Sequence, residues 1–322
     1  MAAGGEKSHL YVNVRLARLV GLPRGGYSSA QMEAGAQPLA RMRPFALSAS
    51  AFRRLALANA VMLVLIIATG ATVRLTGSGL GCEHWPGCAP HHFEPKSYHS
   101  YIEFSNRVIA FFTILVTLAT WVLAPKLRRL AFVIFFGTLL QAPLGALTVH
   151  FHLNPWLVLS HFLLSIVVLT LGVILAIETR ARARTTLPAW VPRLGLLIGF
   201  AAIVLIVSGT FATASGPHPG SAVVRRLWSF QPAVYWHVRA TAVFGISFAL
   251  LLVWLVRNHA PQVRGAFVLL GLLAVQMAVG ETQYRTQLPW WLVLIHVTIA
   301  ATVWVAVTAF VFSLWRPRRM SG

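Results

Sequence analysis

Aspartate is absent from this 322-residue chain, and its acidic residues are seven glutamates: Glu6, Glu33, Glu83, Glu94, Glu103, Glu178 and Glu281. Charged residues of every kind make up only 11%, where soluble domains carry roughly a quarter. That shortage excludes an ordinary water-soluble domain. Disorder of the whole chain is excluded as well, because disorder needs low hydrophobicity. Here 57% of residues are hydrophobic and the mean hydropathy is +0.71. The few charges are of one sign. Lys and Arg number 27, the net charge is +20 and the pI is near 11.7. Such a balance raises nucleic-acid binding until the positions of the basic residues are known.

Their positions answer the question. A membrane helix needs about 20 mostly apolar residues. Eight such stretches occur, near 55–75, 103–124, 131–149, 158–177, 194–213, 234–256, 266–283 and 291–314. With the N-terminus placed in the cytoplasm, twenty basic residues fall on the inner side. They are Lys7, Arg15, Arg18, Arg24, Arg41, Arg43, Arg53, Arg54, Lys126, Arg128, Arg129, Arg180, Arg182, Arg184, Arg193, Arg257, Arg264, Arg316, Arg318 and Arg319. Seven fall outside: Arg74, Lys96, Arg107, Arg225, Arg226, Arg239 and Arg285. This is a positive-inside distribution. The basic balance is therefore topology and contact with the lipid bilayer, and no nucleic acid is expected as a partner. An all-α integral membrane protein follows, with eight spans, cytoplasmic termini and a cell (plasma) membrane location. Residues 1–45 lack both a spanning run and the apolar core of a signal peptide. They read as a disordered cytoplasmic extension, or as sequence before a true start at Met42.

The chain repeats itself. Trp156–His161 reads W-L-V-L-S-H and Trp291–His296 reads W-L-V-L-I-H. Gln141 and Gly145 recur at the same spacing as Gln276 and Gly280, and Thr69-Gly70 with Thr76-Gly77 resembles Ser208-Gly209 with Ser215-Gly216. Each set lies on the equivalent helix of its half. The expected architecture is two tandem four-helix bundles, residues 50–180 and 190–315. An even number of spans gives both the same orientation, related by an axis along the membrane normal.

Ionisable groups within spans are costly and mark function. In the second half, His237 near the outer end of the sixth span and His296 on the eighth lie at similar depth. Two facing histidines in a four-helix bundle suit a haem between them, with Arg239 or Arg225 and Arg226 available to its propionates. Hydrogen bonding of each histidine to a neighbouring helix is the plainer alternative. In the first half His161 is the partner of His296, while the second span offers Asn106, a poor iron ligand. That site is expected to be asymmetric, with a position open for chemistry. Glu103, Asn106 and Arg107 share one helix face. Glu103 could manage a proton or a developing cation there, or could simply pair with Arg107.

The first outer loop runs Arg74-Leu-Thr-Gly-Ser-Gly-Leu-Gly-Cys82, followed by Glu-His-Trp-Pro-Gly-Cys88. Its glycines and Pro86 imply tight turns. Cys82 and Cys88, the chain's two cysteines, lie together outside the cytosol, which favours a disulfide. A metal site formed by these thiols with His84, His91 and His92 is the weaker alternative. No C-x-x-C-H occurs, so covalent haem attachment is not indicated. His150, His152, His218 and His259 read as loop residues. His99 precedes the second span without an assigned role.

The loop T-G-A-T-V-R-L-T-G-S-G-L-G-C-x-x-W-P-x-C, the run Glu103-Phe-Ser-Asn106-Arg107, the histidines on spans four, six and eight, and the doubled layout resemble the haem A synthase family over about 50–315. The resemblance implies oxidation of the C8 methyl of haem O, the substrate, to a formyl group through a hydroxymethyl intermediate, for terminal oxidase biogenesis. It further implies haem b held by His237 and His296, haem O on His161, Glu103 in catalysis, and a Cys82–Cys88 pair. Haem O synthase and oxidase assembly factors are the implied partners, together with a homo-oligomer. Asn106 departs from the family, many members of which have histidine there. The loop after the fifth span also has no cysteine. A di-haem membrane cytochrome for electron transfer, and a non-catalytic oxidase assembly factor, are the rival functions.

Overall fold

The computed structural model describes residues 47–82, 84–85, 87–88, 94–179, 187–221 and 226–315. The 1–45 extension and Met42, Pro86, His91, His92, Arg225 and the terminal arginines Arg316, Arg318 and Arg319 lie outside them, as do Arg180, Arg182 and Arg184. The described residues are helical, with no strand among them. The eight helices are α1 (Ala49–Leu75), α2 (Tyr98–Val122), α3 (Arg128–His150), α4 (Pro155–Glu178), α5 (Trp190–Ser215), α6 (Phe230–Arg257), α7 (Val263–Arg285) and α8 (Trp290–Leu314). All eight are long and apolar enough to cross a bilayer. The shortest, at 23 residues, spans about 34 Å at 1.5 Å per residue, more than the roughly 30 Å hydrocarbon core.

The helices begin before their apolar runs do. Ser48 caps α1 by accepting from the Ala51 N–H, and Asn154 caps α4 by accepting from the Trp156 N–H, with Pro155 following at the first helical position. At α2 a reciprocal capping box joins Ser97 and Ser100. This moves the start of α2 to Tyr98 rather than residue 103. His99 and Ser100 are therefore helical, and Glu103 stands more than a turn inside the helix. His150 likewise closes α3 instead of lying in a loop.

Within the first half α1 packs on α2 and α4, α2 on α3, and α3 on α4. In the second half α5 packs on α6 and α8, α6 on α7, and α7 on α8. The circuit of neighbours is thus the same in both. Helix α8 also touches α1 and α4, and α4 touches α5. Close approach within each half is helped by small residues: a Cβ on Gly172 would stand 2.7 Å from Leu63, and one on Gly195 2.8 Å from Leu314. The Trp304 indole N–H of α8 donates to Thr170 Oγ1 of α4 (2.9 Å). Large apolar side chains such as Phe111, Phe136, Phe200 and Leu250 point outward, as a lipid-facing surface requires.

The repeat extends to strained backbone. His152 and Leu153, between α3 and α4, have φ of 50° and 58°, and Gln287 and Leu288, between α7 and α8, have 62° and 60°. Leu153 N–H donates to Thr148 O and Leu288 N–H to Gln283 O, closing both turns alike. These two turns, the long α1–α2 loop and the α5–α6 loop all lie at one end of the bundle, here called the disulfide end.

Candidate functional site

His237 and His296 come from α6 and α8 at the disulfide end of the second half. Each is half-buried and set against a glycine of a neighbouring helix. A Cβ at Gly209 would meet His237 Cε1 at 2.9 Å, and one at Gly280 would meet His296 Cε1 at 3.0 Å. Each ring also has one hydrogen-bonding neighbour. Ser208 Oγ lies 3.1 Å from His237 Nδ1. Gln276 Nε2 lies 3.1 Å from both His296 Nε2 and the His296 carbonyl. His296 Nδ1 is buried without a partner among the described residues. An axial imidazole needs one nitrogen held from outside and one for the iron. Ser208 holds His237 at Nδ1, while Gln276 holds His296 at Nε2 and the buried Nδ1 of His296 faces Gly280.

The first half repeats the setting with one substitution. His161 lies against Gly145, whose Cβ would stand 3.4 Å from Cε1. Gln141, with its amide turned toward the ring, donates to His161 Nδ1 at 3.2 Å and to the His161 carbonyl at 3.3 Å, while its oxygen accepts from Ser165 N–H and Oγ. Opposite, Thr69 Oγ1 donates to Asn106 Oδ1 at 2.7 Å, and Gly70 faces that same oxygen. Thr69-Gly70 serves Asn106 as Ser208-Gly209 serves His237. Asn106 therefore occupies the position of the missing imidazole.

Glu103 is buried and committed. Its Oε2 accepts from the Cys82 N–H (2.8 Å) and its Oε1 from Arg107 Nη2 (2.6 Å). Arg107 Nη1 reaches on to the carbonyls of His84 and Gly87, both at 2.7 Å. Cys82 and Cys88 are joined in a disulfide, so neither thiol is available to a metal. Among the described residues no group of three or more His, Cys, Asp or Glu is placed to hold a metal ion. The Glu103–Arg107 pair thus straps the disulfide-closed loop onto α2. Gly81 makes this seat possible, since a Cβ there would lie 2.5 Å from the His99 carbonyl. His99 gains a role, its Nδ1 lying 2.9 Å from Ser78 Oγ.

Arg239 does not join the histidines. It lies two residues beyond His237, on another helix face, with its guanidinium 3.9 Å from the Tyr235 ring centroid and near Trp236. Arg74 had been given no role in the sequence. Its Nη2 donates to Thr213 O (3.1 Å) and its Nε to His218 O (3.2 Å), while His218 Nε2 bonds Leu288 O (2.8 Å). Arg74 thereby ties α1 to the second half, and with His218 and Arg226 it lines an open cleft of about 370 Å³. The hydroxyl and amide partners Thr69, Ser208, Gln141 and Gln276 were equally missed as functional. Their recurrence at fixed spacing was the signal.

Known proteins resemble this chain. A haem A synthase of Shewanella oneidensis is 25% identical over 310 residues, covering 79% of this chain and 94% of that protein. One from Symbiobacterium thermophilum is 29% identical over 261 residues, covering 71% and 84%. One from Geobacillus thermodenitrificans is 34% identical over 131 residues, covering 38% and 41%. Residues 53–99 and 92–308 match the cytochrome oxidase assembly protein family, and to that family the chain belongs.

Proposed function

We propose that this protein is a haem A synthase of the cell membrane, converting the C8 methyl of haem O to a formyl group by way of a hydroxymethyl intermediate. Residues 50–180 take the substrate and residues 190–315 hold a haem b, with both termini cytoplasmic and the disulfide end outside. One observation carries the reading: two matched settings of glycine, hydroxyl and amide, one presenting two imidazoles and the other an imidazole and an amide.

His237 and His296 are the residues that would hold haem b. When bound, that group supplies one-electron transfer away from the substrate half. In the first half His161, fixed by Gln141, orients haem O through its iron, and Asn106 leaves the opposite side open. Apolar helix faces accept the farnesyl tail from lipid. Glu103 keeps a fixed carboxylate beside this site and holds the Cys82–Cys88 loop closed over it. Arg74 and Arg226 place positive charge at the disulfide end, where propionates would emerge.

The test is a haem extraction. The full chain is expressed in a bacterial membrane supplied with haem O, purified, and its haems are identified by mass. Haem A or its hydroxymethyl precursor beside haem B is the expected result. Asn106 favours a second reading, a non-catalytic oxidase assembly factor. Haem B alone, with haem O present and unchanged, would select that reading or a di-haem cytochrome.

A further inference from the structure

The two halves differ deep in their interiors, away from the histidines. The register that sets Asn106 in the position of His237 also sets Thr113, Thr117 and Thr120 of α2 in the positions of Phe244, Phe248 and Leu251 of α6. The register that matches Thr69 to Ser208 matches Asn59 of α1 to Ile198 of α5. All eight residues are buried to the same degree, none more than 2% exposed. One half therefore carries an amide and three hydroxyls where the other carries four apolar side chains. Three threonines also fill much less space than two phenylalanines and a leucine.

The polar groups of α2 share one face, and Asn59 of α1 lies at their depth. Glu103, Asn106, Thr113, Thr117 and Thr120 fall on a single stripe of α2, at steps of three, four or seven residues. Helices α1 and α2 run antiparallel with Thr69 opposite Asn106. Ten residues further along each, about 15 Å deeper, Asn59 comes level with Val116 and Thr117. The threonine hydroxyls donate to the carbonyls of Ile109, Ile114 and Val116, which leaves their oxygens able to accept. Asn59 is fully buried, yet neither Nδ2 nor Oδ1 has a partner among the described residues. Buried polar groups are as a rule satisfied, by protein or by ordered water. A water is suited here: it can donate to a threonine oxygen and to Asn59 Oδ1 while accepting from Nδ2.

We infer that Asn59, Thr113, Thr117 and Thr120 form an internal water site, hydrating the core of the first half while the core of the second stays dry. The inference deepens the function proposed above. A half in which a methyl group loses hydrogen needs a path for protons and water, and this stripe leads from Asn106 toward the end opposite the disulfide loop. A half that only relays electrons needs none.

Radiolytic hydroxyl-radical footprinting of the full chain in lipid nanodiscs, read by mass spectrometry, tests the site, because bound water generates the radical in place. Leu63, one turn from Asn59 and buried, is expected to be oxidised. Phe244 and Phe248 are expected to stay unmodified, although phenylalanine reacts faster with the radical than leucine. Asn59→Ile, which installs the second half's residue, should abolish labelling of Leu63 and leave haem content unchanged. Thr117→Val should reduce it. No labelling of Leu63, equal labelling of Phe244 and Phe248, or labelling that persists in Asn59→Ile would overturn the water site. Labelling needs no turnover. Hydration without haem A formation would sink the synthase reading alone, and haem A formation without hydration would sink the water site alone.

Discussion

A single methyl group added beside each imidazole should distinguish iron ligands from ordinary buried histidines. Carbon atoms in ordinary contact sit about 3.5–4.0 Å apart. Alanine at Gly209 would bring Cβ to 2.9 Å from His237 Cε1, and alanine at Gly280 to 3.0 Å from His296 Cε1. Each ring must then retreat by roughly 0.5–1 Å to restore contact, at or beyond the tolerance of about 0.5 Å within which a ligand set works. Alanine at Gly145 would approach His161 to 3.4 Å, and alanine at Gly70 would stand 4.0 Å from Asn106 Oδ1, an ordinary contact. Helix propensity acts in the opposite direction, since Gly→Ala within a helix favours folding by roughly 0.8–1.0 kcal/mol. A loss of haem would therefore not be a loss of helix. The four variants are purified as full chains, and haem per protein is measured together with the low-spin optical and EPR signals. Gly209→Ala and Gly280→Ala should lose haem b affinity on the order of tenfold, the lower end of what disturbing a ligand's support costs. Gly145→Ala should keep haem b and weaken haem O binding. Gly70→Ala should match the unaltered protein. Native haem content and spectrum in Gly209→Ala would refute ligation by His237. An equal loss in Gly70→Ala would show that helix packing, not ring position, is being read.

Asn106→His should give the first half a second axial ligand, because Thr69 Oγ1 already stands where Ser208 Oγ stands beside His237. A second low-spin signal is expected by EPR, and its absence would break the equivalence of the two positions. Glu103→Ala removes the acceptor of the Cys82 N–H and the partner of Arg107. The Cys82–Cys88 disulfide should then be reduced faster by dithiothreitol in a thiol-labelling time course, with Glu103→Gln intermediate. Arg74→Ala removes two charged hydrogen bonds to the second half, each worth about 1.5–3 kcal/mol. A lower melting temperature is expected, and an unchanged one would show that the halves hold together without it.

The spans were legible because nothing but apolar length and charge placement is needed to define them in lipid, and all eight appear within a few residues of expectation. The repeat was legible where identical letters recur, as with Trp156–His161 and Trp291–His296. It was hidden where chemistry recurs under different letters: Thr69 and Ser208 share only a hydroxyl. Arg239 stands apart from the histidines for a geometric reason. A basic residue near a histidine in sequence invites a common site, but a separation of two on a helix turns it to another face, here onto Tyr235. The Glu103–Arg107 pair was foreseen, but not the third member, the Cys82 N–H, which arrives from a loop 21 positions earlier. Arg74 belongs to the same class. Its partners Thr213 and His218 are 139 and 144 positions distant, and nothing local to Arg74 announces them.

The asymmetry of the halves bears on why a duplicated bundle would diverge at these positions and not others. The supports of the imidazoles are kept: glycine, hydroxyl and glutamine recur around both sites. The halves differ at the second imidazole of the first half, at the buried polar groups beneath it and at the strapped disulfide loop. On the proposed function, an amide in place of the imidazole would open a coordination position, and Thr, Thr, Thr and Asn in place of Phe, Phe, Leu and Ile bring polarity below it. Either change alone is poorly matched to oxidation of a bound substrate. An open position over a dry core has no route for protons, and a polar core under a doubly ligated iron has no open site to serve. Asn106 and the three threonines fall on one helix, α2, along one stripe, with Asn59 at their depth on α1. The strap that closes the disulfide loop is anchored on that helix too, through Glu103 and Arg107. Helix α2 thus carries the features that set the first half apart, while α4 and α8, with matched histidines, carry what the halves share. Exchanging first-half residues for their second-half counterparts, by Asn106→His on α2 together with Asn59→Ile on α1, should therefore move the first half toward an electron-transfer site: more low-spin haem, less product, and a drier core in the same molecule.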